Sequence, residues 1–208
     1  MAVCKTIAAE RIREAHAAGQ RLFGENRVQE FAEKQPHLAG LPGAQFHLIG
    51  HLQSNKAAKA AELFHAVDSV DSLRLAERLD AAARRFGKRL PVLIEINIGG
   101  EAAKSGLSPD DMELEELLRD APRLEALEIR GLMSIPPHTE DPEDTRPYFR
   151  RVRELRESII RRKLPYVAMA ELSMGMSHDF EVAIEEGSTC VRVGTAIFGE
   201  RLKAKEPA

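Results

Sequence analysis

The sequence predicts an α/β protein of the (β/α)8 class, the TIM barrel. Two observations carry this prediction: short apolar runs rich in β-branched residues alternate with longer amphipathic segments, and there are eight such runs. Because the alternation continues along the whole chain, we expect a parallel sheet with helices on its outside, and eight strands close such a sheet into a barrel. The chain has 208 residues, fewer than the about 250 typical of this fold, so its loops must be short.

The predicted strands share apolar, β-branched residues followed by Gly, Ser, Asn or a charged residue. They span residues 2–5, 21–24, 45–50, 65–69, 91–98, 127–135, 167–172 and 189–194. Apolar residues at helical spacing predict helices around residues 12–16, 28–32, 73–86, 114–118, 149–160 and 180–184. We therefore expect one domain over residues 1–208, in which residues 200–208 form a charged tail.

Composition narrows the classes of partner. Apolar residues make up 43% of the chain and charged residues 30%, as in ordinary globular proteins. The net charge of −3 and the 5% of aromatic residues, with no Trp, argue against a nucleic-acid partner. No apolar run is long enough for a membrane span and the first residues do not resemble a signal peptide, so we expect a cytoplasmic protein without a membrane partner. Cys4 and Cys190 have no metal-ligand spacing, so no structural metal is expected.

The predicted ring of helices has a gap between the last strand and the first. The chain starts directly on strand one, and no segment after strand eight is long and apolar enough for an eighth helix. The outer faces of these two strands would then form an apolar patch. We expect either that a partner covers this patch or that the natural sequence is longer at its N-terminus. A monomer is the expected state, and a dimer through this uncovered face is the alternative.

A phosphate site is predicted where strands seven and eight end. Residues 172–179 and 189–199 combine glycines, whose backbone N–H groups approach a ligand closely, with one arginine, Arg192. Taken singly, such glycines indicate turns and a lone arginine is usually solvated. Barrels of this class often bind phosphate after strands seven and eight, which favours the combined interpretation. Hydroxyl donors are supplied by Ser173, Ser177 and Thr195.

Lys5 ends strand one, the neighbour of strand eight in a closed barrel. If Lys5 points inward among apolar side chains, its pKa falls, as a Schiff-base lysine requires; an exposed strand-end lysine is the alternative. Alternation on strand five points Glu95 and Asn97 inward, as ligand groups or as a polar plug. Asn26 is either a helix cap or a ligand donor.

His47 and His51 are expected to be packed or surface groups, because no carboxylate accompanies them at metal-ligand spacing. No metal site is predicted on them.

Eight motifs together resemble the pyridoxal phosphate homeostasis protein family, also called the proline synthase co-transcribed family. The resemblance runs from about residue 2 to residue 201. The motifs are VCKT at residues 3–6, FGENRVQE at 23–30, HLIGHLQSNK at 47–56, VDSVD at 67–71, KSGL at 104–107, GLMSIP at 131–136, LSMGMSHD at 172–179 and GST at 187–189.

The resemblance implies a fold-type III, alanine-racemase-like barrel that binds pyridoxal 5′-phosphate (PLP). It places Lys5 at the imine-forming lysine and Arg192 opposite the pyridine nitrogen, and we add Asn26 as a further cofactor-binding residue. The phosphate cup is implied to comprise Ser173, Met174, Gly175, Ser177, Gly194 and Thr195. The chain departs from the family pattern in lacking the usual N-terminal helix.

These residues predict a PLP carrier or buffer with no catalytic residue assigned. An arginine only donates hydrogen bonds, so Arg192 would leave the pyridine nitrogen unprotonated and weaken the ring as an electron sink. Racemisation needs a second acid or base, and Tyr148 and Tyr166 are expected to lie away from the strand ends. The recipients would be PLP-requiring apo-enzymes. Two alternatives stay open: a small racemase-like PLP enzyme, and a PLP-free barrel that uses Lys5 as an aldolase-type Schiff base.

The two cysteines test the strand phase. If Lys5 points inward, Cys4 points outward, whereas Cys190 shares the inward face with Arg192. Their side chains then diverge, so no disulfide is expected. Because of the predicted gap, we expect Cys4 to be alkylated more readily than Cys190.

Overall fold

The computed structural model describes residues 1–101 and 104–199. The strands are β1 (Ala2–Val3), β2 (Leu22–Glu25), β3 (Gln45–Leu48), β4 (Ala66–Val70), β5 (Leu90–Ile96), β6 (Leu127–Ser134), β7 (Val167–Met176) and β8 (Cys190–Arg192). The helices are α1 (Ala9–Ala17), α2 (Val28–Leu38), α3 (Ala57–Leu63), α4 (Leu73–Arg85), α5 (Met112–Asp120), α6 (Arg146–Arg161), α7 (Phe180–Glu185) and α8 (Thr195–Phe198). None of these helices has the length and apolar character needed to cross a membrane. The predicted charged tail at residues 200–208 lies outside the described residues.

The eight strands form one parallel sheet in sequential order, and the sheet closes on itself. Ala2 of β1 bridges Val193, just after β8, in parallel. The Val3 N–H donates to the Val193 carbonyl at 2.9 Å, and the Val193 N–H donates to the Met1 carbonyl at 3.0 Å. The predicted (β/α)8 barrel is therefore confirmed.

The apolar core lies between the sheet and the helices. On one side of the barrel it is aromatic: Phe31 of α2 packs its ring 4.8 Å from that of Phe46 and 4.6 Å from that of Phe64. All five residues of β4 are buried, because this strand has side chains packed on both of its faces. This packed core holds the strands in place, and the site lies at the ends of these strands.

Helix α3 was not among the predicted helices. Its buried residues are Ala57, Ala60 and Ala61, so it packs closely on α4 without any large apolar side chain at helical spacing. Helix α8 is a single turn after β8, and β7 continues to Met176, four residues beyond the predicted end. The strand phase and the order of elements are unaffected by these differences.

The expectation that the outer face of β1 is uncovered is wrong. Ala2 and Cys4, which alternate with the inward residues of this strand, are both 0% exposed. Helix α2 reaches this face through Lys34, whose ammonium group donates to the Cys4 carbonyl at 2.8 Å. The predicted ease of Cys4 alkylation is therefore overturned as well.

Among the described residues, β8 is less completely covered than β1. Val191 and Val193, which alternate with Arg192, are partly exposed. Ile184 of α7 is 53% exposed and Ile197 of α8 is 44% exposed. Helix α8, with only four residues, is too short to cover the outer face of β8 completely.

Candidate functional site

A cavity of about 330 Å3 opens at the carboxyl end of the barrel strands. The ends of β1, β2, β6, β7 and β8 contribute its walls, as expected for a barrel whose ligand site lies on this face. Six of the nine predicted cofactor-binding residues line it: Lys5, Asn26, Ser177, Arg192, Gly194 and Thr195. The structure brings these residues together from four distant parts of the sequence.

The side chains of residues 3–5 alternate between the inside and the outside of the barrel, as predicted. Val3 and Lys5 line the cavity, and Cys4 between them is buried on the outer side. Lys5 itself is half-buried and comes two residues after β1 ends. The inward direction of Lys5, on which the predicted imine depends, is therefore present in the structure.

Arg192 is a buried cation that the barrel holds in one orientation. Its guanidinium group donates to the Ser173 hydroxyl and to the Ser134 carbonyl, each at 2.8 Å, and the residue is 4% exposed. Burial lowers the pKa of Arg192, while nearby acidic groups, including Asp68 and Glu95, partly offset this effect. An arginine remains charged after such a shift, so a fixed positive charge faces the cavity.

The other three predicted residues support the site from below. Ser173 and Met174 are 0% exposed and do not line the cavity; Ser173 orients Arg192 instead. Gly175 has φ +92°, and a Cβ there would lie 2.5 Å from the Ala183 Cβ. Only glycine permits this conformation together with the close packing of β7 on α7. At the cavity wall, the Gly194 N–H donates to the Ser177 hydroxyl at 3.3 Å.

Two histidines that line the cavity were not predicted from the sequence. His138 follows β6 and His178 follows β7, and their rings meet edge to face with centroids 5.6 Å apart. Both residues lie in loops, where neither helical periodicity nor strand alternation predicts which way a side chain points. The motif LSMGMSHD contains His178 and was the one available signal.

A second cavity, of about 510 Å3, adjoins the first and shares Ile135 with it. Glu95 lines it, is 5% exposed and accepts a hydrogen bond from the Ser105 hydroxyl at 2.9 Å; burial raises its pKa. Asn97 also lines it and donates to the Lys104 carbonyl at 3.3 Å, which ties down the loop. Glu95 of β5 and Asn97, which directly follows this strand, thus lie beside the Lys5 cavity.

The histidines of the third motif are paired with carboxylates. His47 contacts Asp68 at 3.1 Å near the opposite, amino-terminal end of the barrel, and His51 contacts Asp71 at 2.9 Å. Across residues 1–101 and 104–199, no group of three or more His, Cys, Asp or Glu side chains is arranged to hold a metal ion.

Behind Lys5, on the outer side of the sheet, lies a buried polar cluster that sequence reasoning did not find. Lys34 of α2 donates to the Cys4 carbonyl at 2.8 Å, to Glu25 at 2.9 Å and to Glu30 at 2.6 Å. The Cys4 thiol donates to Glu25 at 3.2 Å. The spacing of Glu30 and Lys34, four residues apart on a helix, was the available signal, but it normally indicates a surface pair.

Burial is the largest single influence on each pKa in this cluster, but it sets the direction of the shift only for Glu25 and Cys4. It raises the pKa of Glu25 to about 7, although Lys34 acts in the opposite direction, and it also raises the pKa of Cys4. For Glu30, burial is outweighed by hydrogen bonds from Lys34 and the Thr6 N–H, so its pKa is lowered. For Lys34, burial is likewise outweighed by Glu30 and Glu25, so its pKa is raised. The Lys34 ammonium group therefore favours the ionised form of both carboxylates, but it outweighs the effect of burial only at Glu30 and not at the more buried Glu25.

This chain is similar to known proteins along almost its whole length. The profile of the family described as alanine racemase, N-terminal domain, matches residues 1–202. The pyridoxal phosphate homeostasis protein of Aquifex aeolicus is 47% identical, and the match covers 95% of this chain and 84% of that protein. The protein of the same name from Escherichia coli K12 is 44% identical, with 99% of this chain and 87% of the relative covered.

Solved structures of similar proteins share the barrel fold of this chain. PipY of Synechococcus elongatus, solved with PLP bound, superimposes with a TM-score of 0.85 at 43% identity, over 96% of this chain and 91% of PipY. Alanine racemase of Clostridium difficile, at 15% identity and TM-score 0.75, covers 98% of this chain and 55% of its own, and shares the fold. The chain therefore belongs to the alanine racemase N-terminal domain family, in its pyridoxal phosphate homeostasis protein branch.

Proposed function

We propose that this protein binds PLP covalently through an imine at Lys5 and serves as an intracellular carrier or buffer of the cofactor. The observation that carries the proposal is the meeting of Lys5 and Arg192 at one cavity of about 330 Å3, in a chain 43% identical to a relative solved with PLP. The cavity volume falls within the range usual for small-molecule sites.

The residues present fit the cofactor. Lys5 supplies the amine, and Ser177 and Thr195 supply hydroxyl donors for a phosphate, while the Gly194 N–H holds the Ser177 oxygen at the cavity wall. Hydrogen bonds from Arg192 to Ser134 and Ser173 hold its guanidinium group in one orientation at the cavity, and the family resemblance assigns this group to the pyridine nitrogen. When bound, PLP supplies an aldehyde and an electron-withdrawing ring.

Arg192 also argues for storage rather than catalysis. A group that only donates hydrogen bonds and carries a permanent charge keeps the pyridine nitrogen unprotonated, which weakens the ring as an electron sink. Tyr166 is 64% exposed at the other end of the barrel, and Tyr148 of α6 packs against the apolar core. Neither tyrosine lines the Lys5 cavity.

A second candidate function rests on His138 and His178. Both rings line the Lys5 cavity and offer general bases, so a slow racemase-like activity is the competing proposal. Alanine racemisation above the rate of free PLP, abolished in both Lys5→Ala and His178→Ala, would establish it. We expect no such activity. A well-placed general base would accelerate racemisation by roughly 10²–10⁴-fold, so its presence would be easily detected.

The direct test of the carrier proposal is chemical labelling followed by transfer. Reduction of the PLP-loaded protein with borohydride should fix one cofactor to Lys5, as mapped by mass spectrometry, and the loaded protein should restore activity to a PLP-requiring apo-enzyme. Lys59→Ala, at an exposed lysine on α3, is the matched control and should behave like the unaltered protein. Labelling of another lysine, or no transfer, would contradict the proposal.

We further propose a cytoplasmic location and a monomeric state. The open outer face of β8, with Ile184 and Ile197 exposed, offers the alternative of a dimer. Light scattering across a concentration series decides between the two states, because a dimer through this face would dissociate in an Ile184→Glu variant.

A further inference from the structure

Both peptide groups that flank Lys5 are held from outside the barrel. The carbonyl oxygen of Cys4, which precedes Lys5, accepts a hydrogen bond from the Lys34 ammonium group at 2.8 Å. The N–H of Thr6, which follows Lys5, donates to the carboxylate of Glu30. Lys34 and Glu30 are themselves 2.6 Å apart on consecutive turns of α2. We call this pair the Lys34–Glu30 clamp.

The backbone at this point needs such support. Strand β1 ends at Val3, and Lys5 and Thr6 lie in a turn that the Ile7 N–H closes on the Cys4 carbonyl at 3.1 Å. The Thr6 hydroxyl also donates to the Lys5 carbonyl at 2.6 Å. Thr6 has φ +61°, in the left-handed region that β-branched residues avoid. A strained residue next to the lysine persists only when its surroundings hold it, and the hydrogen bond to Glu30 is one such restraint.

Lys34 is committed to this cluster. Its three hydrogen bonds, to Cys4, Glu25 and Glu30, match the three donors of an ammonium group. Its side chain is only 13% exposed, and that of Glu25 is 0% exposed. Removing such charges from water is costly, so the cluster differs from a surface ion pair that forms at little cost. The cluster holds the two peptide groups that flank Lys5 in fixed positions.

We propose that Lys34 and Glu30 are positioning residues for Lys5. They fix the dihedral angles on both sides of the Lys5 Cα from the outer face of the sheet, so that the amine enters the cavity opposite Arg192. This inference rests on the proposed function of Lys5 and assigns no cofactor contact to either residue. Fixing a nucleophile accelerates its reaction because orientation is established before the ligand arrives.

The test separates covalent attachment from non-covalent binding. The rate of PLP attachment to Lys5 is followed by absorbance and by borohydride trapping, and affinity for pyridoxine 5′-phosphate, which has no aldehyde, is measured by calorimetry. Lys34→Met and Glu30→Met should slow attachment at least tenfold, since small misplacements of reacting groups cost about that much or more. Affinity for pyridoxine 5′-phosphate should change less than twofold.

Two controls complete the design. Lys59→Met removes an exposed ion pair with Glu62 on the neighbouring helix α3 and should leave both quantities unchanged. Glu30→Gln keeps an acceptor for the Thr6 N–H and should recover most of the attachment rate lost in Glu30→Met. Circular dichroism confirms that each variant is folded, and if Lys34→Met does not fold, the two Glu30 variants decide.

The outcomes distinguish the clamp from the proposed function. Absence of a Lys5 adduct in the unaltered protein would refute the function. A normal adduct there, together with unchanged attachment in folded clamp variants, would overturn the clamp alone. Equal losses of PLP attachment and pyridoxine 5′-phosphate affinity would also overturn it, because they would indicate a general loss of structure rather than of lysine orientation.

Discussion

Cys4 and Cys190 lie beside neighbouring strands of the closed barrel but face opposite ways. Cys4 is fully buried on the outer side, where its thiol donates to Glu25, whereas Cys190 is half-buried and lines the opening at the amino-terminal end. Both are free thiols. The outward side chain of Cys4 and the inward side chain of Cys190 therefore agree with the alternation that points Lys5 inward.

The first prediction reverses the order of thiol reactivity expected from the sequence. Cys190 should be alkylated before Cys4 in the native protein, because Cys4 is 0% exposed whereas Cys190 is half-buried; burial raises the pKa of both thiols. Iodoacetamide labelling with peptide mapping over time measures the order, and labelling in denaturant provides the control in which both react. Earlier labelling of Cys4 would mean that α2 does not cover β1.

The second prediction concerns Lys5. Lys5→Ala should abolish covalent PLP while leaving the barrel folded, because Lys5 lies beyond β1 and is not part of the buried core. Visible absorbance and thermal melting measure the two effects separately. A persisting imine band in this variant would refute the assignment.

The third prediction concerns the charge of Arg192. Arg192→Gln keeps a donor for the Ser134 carbonyl but removes the fixed cation, so the pyridine nitrogen of bound PLP should become easier to protonate. The absorbance of the bound cofactor should then change with pH in a way that the unaltered protein does not show. Arg156→Gln, which alters an arginine bonded to the Met169 carbonyl at the other end of β7, is the control. Identical spectra at full occupancy would show that Arg192 does not face the ring.

The fourth prediction concerns Glu25 and stability. Burial raises its pKa to about 7 from an ordinary value of 4.5, so between these pH values the folded state binds a proton that the unfolded state has lost. The stability associated with this proton is fully present below pH 4.5 and is lost as pH rises through about 7.

Glu25→Gln removes this titration. The free energy of unfolding of the unaltered protein should therefore fall relative to that of the variant by about 3 kcal/mol between pH 4.5 and pH 8. Urea denaturation at a series of pH values measures the difference. A difference that is constant with pH would show that Glu25 is ionised throughout.

Much of this architecture was predictable, because strand alternation and the order of apolar runs are local properties of the sequence. They gave the eight strands and the inward direction of Lys5 and Arg192. Helix α3 was missed because its buried face is made of alanines. The burial of Cys4 was missed because it involves a contact with Lys34, 30 positions away in the sequence. The role of Ser173 beneath Arg192 likewise depends on a contact between two strands.

Helix α2 lies outside the cavity, yet through Lys34 and Glu30 it contacts the backbone on both sides of the proposed cofactor lysine. Distance from the ligand is consequently a poor guide to the effect of a natural variant in this protein. If the clamp acts as proposed, a substitution of Lys34 or Glu30 that leaves every cavity side chain in place would still slow cofactor attachment, and a screen that scores variants by ligand contact would miss it.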